Sequence, residues 1–168
     1  MSREIIQYSI VGLAILVIGS VAVWYLWPDA RLDPPQVLER RVMEGDSAAV
    51  QKKAAEDLLK HGDKARQEVR RTLSGYQQDH VEVKLALIKA AQNIRDWRSM
   101  PELFRLMEDP DPQVRGRAGA AARVILGADF MFRAEDPPAK RAAAIVQMKR
   151  DYQVMQQKIA EFYVDQTE

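Results

Sequence analysis

The sequence predicts an all-α protein: a single N-terminal transmembrane helix, then a short α-solenoid of about three helical pairs, then a long C-terminal helix. Three observations carry this. Residues 5–27 are an uncharged apolar run, as long as the roughly 20 helical residues that cross a bilayer. From Pro34 onward apolar residues recur three and four apart, the helical period, with no alternating strand pattern. Corresponding apolar positions in successive helices then repeat at 31 and 33 residues, within the range of stacked helical hairpins.

The first segment, IIQYSIVGLAILVIGSVAVWYLW, is interrupted only by Gln7, Ser9 and Ser20 among polar residues. Tyr8 marks one end and Trp24, Tyr25 and Trp27 the other, as expected of rings at the headgroup level. A core helix would keep a polar face, and this one has none. Ser20-Val21-Ala22 also satisfies a small-x-small cleavage pattern, so a signal peptide is the alternative. It would leave Val-Trp-Tyr-Leu-Trp at the new N-terminus, which disfavours it. Arg3 on one side and Arg31, Arg40 and Arg41 on the other assign no orientation. Residues 28–35, rich in Pro and Asp, read as a linker.

The expected repeat region covers 36–127. Pro34 and Pro35 open a helix with Val37, Leu38, Val42 and Met43 on one stripe, closed by Gly45-Asp46-Ser47. A second helix from Ser47 places Val50, Ala54, Leu58 and Leu59 inward and ends at Gly62. The third, from Asp63 to about Leu73, carries Ala65, Val69 and Leu73. The fourth, His80 to Arg95, aligns Val83, Leu87 and Ala91, with Leu85 and Ile88 widening the stripe. A fifth puts Leu103, Leu106 and Met107 inward. Asp109-Pro110-Asp111-Pro112 forms a tight turn into a sixth with Val114, Ala118, Ala122 and Ile125 on one face, ended by Gly127. Residues 128–168 supply an aromatic loop, Phe130 and Phe132, and a helix of about 25 residues capped by Asp136. Its stripe is Ala142, Ile145, Met148, Tyr152, Met155, Ile159 and Phe162. That stripe reads as a cap on the last repeat or, alternatively, as a partner helix for another chain.

Overlaying the helices aligns Val50, Val83 and Val114, and likewise Val42, Leu73 and Leu106. On these residues, and on DPDPQVRGRAGAAARVILG above all, the chain resembles HEAT repeats. Val114, Arg115, Ala118 and Ala122 match the family pattern; Lys84 and Gln51 stand where Arg115 does in the other two units. The tail PPAKRAAAI resembles those of bacterial HEAT-like proteins. The resemblance implies a protein-binding scaffold without catalytic apparatus. Arg115 at the helix start is expected to reach an acidic neighbour, Asp79 or Asp111.

Composition bounds the function. The chain has 25 Lys and Arg against 24 Asp and Glu, no Cys and a net charge of +1, which indicates neither nucleic-acid binding nor a polybasic membrane patch and excludes thiolate chemistry. No metal, nucleotide or nucleophile motif occurs, so neither enzyme activity nor a cofactor nor a small-molecule substrate is expected. His61 and His80 fall at helix ends. Arg66, Arg70 and Arg71 form the densest basic cluster, read as a solvated face or a dock for an acidic peptide. The expected function is a membrane-anchored scaffold for protein partners, held in a bilayer, as of a bacterial inner membrane, by 5–27. The alternative is a structural or assembly subunit of a larger membrane complex, packed through the membrane helix and the C-terminal amphipathic helix.

Overall fold

The computed structural model describes residues 32–164. The chain divides at Pro34 into two units, and the second holds all the helices discussed below. The expected membrane segment, 5–27, lies outside the described residues; among those described, no helix is long and apolar enough to cross a membrane. The linker, 28–35, is described only at its end.

The described residues are helical and contain no strand. Helix α1 spans Pro35–Glu44, α2 Ala48–His61, α3 Arg66–Gly75 after a 3-10 turn at Gly62–Ala65, and α4 Val81–Ile94. A second 3-10 turn, Trp97–Ser99, leads to α5 at Met100–Leu106, followed by α6 at Pro112–Leu126 and α7 at Pro138–Val164. Local chemistry sets these limits. The Asp111 carboxylate accepts from Gln113 N at 2.8 Å and Val114 N at 3.1 Å, Pro112 occupies the first turn, and Gly127 stops α6 at φ 69°. Such caps satisfy backbone groups that a helix end leaves without partners.

Packing arranges the helices in two rows. Helix α2 lies against α4 and α4 against α6, while α1 packs on α2 and α3, α3 on α4, and α5 on α6. Leu58, Leu87, Leu103, Val83 and Val114 are buried between the rows, and each such side chain contributes about 1.5–3 kcal/mol relative to exposure. Ala54, Ala55, Ala90, Ala91, Ala118, Ala121 and Ala122 are buried as well, and their small size lets the axes of α2, α4 and α6 approach closely.

Two expected core positions are not core. Val50 is 45 % exposed and its neighbour Gln51 is buried instead; three hydrogen bonds hold the Gln51 amide inside, and one residue of helix turns Val50 about 100° outward. Ala142 is exposed. Helix α7 is 27 residues long and α5, against which it packs, is 7, roughly 40 Å against roughly 10 Å at 1.5 Å per residue. Only the middle of the stripe, Ile145, Met148 and Tyr152, is therefore buried, with Met155 and Ile159 half-buried. The side chain of Phe162 lies outside the description.

Candidate interaction surface

A ladder of polar side chains joins the turns at one end of α2, α4 and α6. Gln51, Lys84 and Arg115 occupy the same position in the three helices, 33 and 31 residues apart. Gln51 Nε2 donates to Gly45 O at 3.0 Å, in the turn before its own helix, and to Gln78 Oε1 at 3.1 Å, in the turn before α4. Its Oε1 accepts from the Tyr76 hydroxyl at 2.9 Å. Lys84 Nζ makes the same reach with charge, to Asp79 at 3.1 Å in its own turn and to Asp109 at 2.9 Å in the next. Arg115 donates to the carbonyls of Asp109 at 2.9 Å and Pro110 at 2.8 Å, and forward to Ala134 O at 3.2 Å.

The acidic partner expected for Arg115 thus belongs to Lys84. Neither Asp79 nor Asp111 receives Arg115, because Asp111 is committed to capping α6 and Asp79 to Lys84. Asp109 is the junction: one carboxylate oxygen takes Lys84, the other accepts from Asp111 N at 2.9 Å. Burial works against the Lys84 cation, but Asp109 and Asp79 outweigh it and raise its pKa above the usual lysine value. Val114 and Ala118, next to Arg115 on α6, are fully buried and contribute packing.

The basic cluster on α3 is occupied from within the chain. Arg71 forks onto Glu39 at 2.9 and 2.7 Å and reaches Glu68 at 3.5 Å. Arg66 pairs with Asp63. The buried Asp96 carboxylate lies 3.9 Å from Arg66 and 3.8 Å from Arg70, while its Oδ1 accepts from Arg98 N at 3.3 Å. Arg66, Arg70 and Arg71 therefore fasten α1 and the Trp97–Ser99 turn to α3. Tyr152 has a similar part: its ring meets Phe104 edge-on at 5.9 Å and Trp97 at 6.2 Å, fixing α7 to α5. Burial raises its phenol pKa, and the charge of Asp96 adds to this.

Away from the ladder, the outer face of α2, α4 and α6 forms a groove of about 560 Å³. Leu59, Leu85 and Ala86 form its apolar part, and Lys52, Lys60, Lys89, Arg117, Glu56, Glu82 and Gln113 surround them. Lys52 and Glu82 pair across α2 and α4 at 3.1 Å, and Lys60 holds Asp57 at 2.6 Å. Lys89 and Arg117 are exposed and pair with no carboxylate among the described residues. The groove continues between α4 and α6 past Leu85, Gly116 and Ala120. Sequence reasoning missed Lys89 and Arg117 because neither belongs to a charge cluster and the 31-residue register of α4 and α6 does not pair them: Lys89 lies five residues past Lys84, and Arg117 two past Arg115.

Among the described residues no group of His, Asp and Glu is placed to hold a metal ion. What the fold and surface define is an all-α protein with helices stacked in two rows. The chain matches no known protein family, no curated protein and no solved structure.

Proposed function

We propose that this chain is a membrane-anchored helical-repeat scaffold, built of HEAT-like units, that binds protein partners along the row of α2, α4 and α6. The observation that carries this reading is the groove: an apolar floor framed by exposed cations runs across three stacked helices. Supporting the repeat reading is the Gln51, Lys84 and Arg115 ladder, in which one helix position performs the same turn-bridging task three times. Supporting the anchor is the uncharged run of residues 5–27.

The test is site-specific photocrosslinking in intact cells expressing the full chain. A crosslinker at position 89 or 117 is expected to trap a discrete protein adduct, whereas one at Gln67, exposed on α3 in the other row, traps none. Equal adducts on both rows, or none on either, would refute the binding face. The anchor is checked separately by removing residues 5–27, which should release the chain from the membrane fraction.

A further inference from the structure

We infer that the segment docking in this groove is an acidic peptide carrying a bulky apolar side chain, with the apolar group on Leu59 and Leu85 and its carboxylates on Lys89 and Arg117. The inference rests on the reading of the α2, α4 and α6 row as the binding face. It follows from the groove's charges and shape.

Of the groove's charged side chains, four are cations and two are carboxylates. Glu82 is already bound to Lys52, which leaves Glu56 as the one carboxylate of the lining with no ion pair among the described residues. Lys89 and Arg117, on adjacent helices, have none either. A basic segment placed here would oppose both cations. A wholly apolar one would take them out of water without a partner, at a desolvation cost that apolar contact does not return. Carboxylates flanking an apolar residue satisfy both parts of the surface. Arg117 in addition presents a planar fork suited to a carboxylate. At about 560 Å³ the groove matches pockets that enclose a ligand of drug size, about 300–1,000 Å³, so it receives a few side chains of a segment rather than a domain face.

The experiment selects binders from a library of random dodecapeptides on the full chain in mild detergent, then measures their affinity by fluorescence anisotropy. The selected peptides are expected to share Asp or Glu beside a Leu, Ile or Phe. Lys89→Glu with Arg117→Glu should weaken them about tenfold, two exposed charge contacts being reversed, and rising salt should do the same in the unmodified chain. Both positions are exposed, and unchanged helical circular dichroism will show that the variant folds. Leu85→Lys, which replaces the floor, should abolish binding. Neutral or basic peptides that lose binding in Leu85→Lys would overturn the acidic partner while leaving the binding face intact. Peptides indifferent to all three substitutions, or no selected peptide at all, would overturn both.

Discussion

Replacing Lys84 by Met removes a buried cation while keeping the length of its apolar stem. The structure sets the scale of the damage. The Lys84 and Asp109 side chains are 10 % and 6 % exposed at a separation of 2.9 Å, and removing one member of such a pair leaves an uncompensated charge, costing about 3–5 kcal/mol when fully buried. Two features reduce the figure. Asp109 keeps its hydrogen bond from Asp111 N, and the second partner of Lys84, Asp79, is 95 % exposed, where ion pairs are worth about 1 kcal/mol or less. The expected loss is about 2–4 kcal/mol, or roughly 10 °C in the thermal midpoint for a domain of this size. Urea unfolding of the full chain in detergent, followed by helical circular dichroism, measures it. Lys52→Met, which breaks the exposed pair with Glu82, is the control and should leave the unfolding midpoint close to that of the parent, since solvent screens such a pair. Combining Lys84→Met with Asp109→Asn should recover more than half of the loss, since the neutral amide still accepts from Asp111 N. If Lys84→Met is no worse than Lys52→Met, the idea that this ion pair locks neighbouring turns is wrong.

The remaining ladder and its surroundings make further expectations. Arg115→Ala strips three carbonyls of their donor, and a loss of about 1–3 kcal/mol should be accompanied by faster proteolysis between Gly127 and Asp136; protection equal to the parent chain would count against the link to Ala134. At Gly119 an added Cβ would lie 2.5 Å from the Phe132 ring, so Gly119→Ala should cost about 1–3 kcal/mol, whereas Gly116→Ala, whose nearest neighbour would be 3.5 Å away, should be close to neutral in the same melting experiment. In alkali, Tyr76 resists ionisation: burial, with the charge of Asp79, pushes its phenol up to about 12. A folded pKa raised above the unfolded value gives stability that is full below pH 10 and is lost as pH rises towards 12, here about 2–3 kcal/mol. Lys84 and Tyr152, also raised, act in the same direction. A flat stability between pH 10 and 12, or a Tyr76→Phe chain that declines as steeply as the parent, would contradict this.

Much of the helical frame was legible because it depends on local chemistry. Asp111 and Gly127 bracket α6 as a cap and a left-handed stop, and both can be read from residue type alone. The spacing of Val42, Leu73 and Leu106, 31 and 33 residues apart and all buried, needs only the recurrence of apolar positions, whereas the parallel series of Val50, Val83 and Val114 begins with a residue that is exposed. The buried Gln51 was not legible: an apolar period places Val50 inside, and an amide earns that place only when three partners from two other turns surround it. The ion-pair partners of the α3 arginines were hidden for a related reason. Arg71 meets Glu39 on α1, 32 residues earlier, and Asp96 lies beyond the whole of α4. A cluster read along the chain looks unopposed when its counter-charges come from neighbouring helices.

The same distinction explains why the ladder tolerates three different residues. Its requirement is not a particular charge but a match between each side chain and the atoms its two turns present. Around Gln51 stand a carbonyl, an amide and a phenol, which need both a donor and an acceptor. Around Lys84 stand carboxylates alone, and a point cation answers them. Around Arg115 stand three backbone carbonyls spread over two segments, which suits a broad fork of donors. Because these demands are met at the helix starts, the outer face of α2, α4 and α6 is released from bridging neighbouring turns. Leu59 and Leu85 remain only half-buried there, and Lys89 and Arg117 keep their charges unspent. A stack that fastens its turns at one end can thus leave a side surface for a partner, and that division of labour links the helical stack to the proposed function.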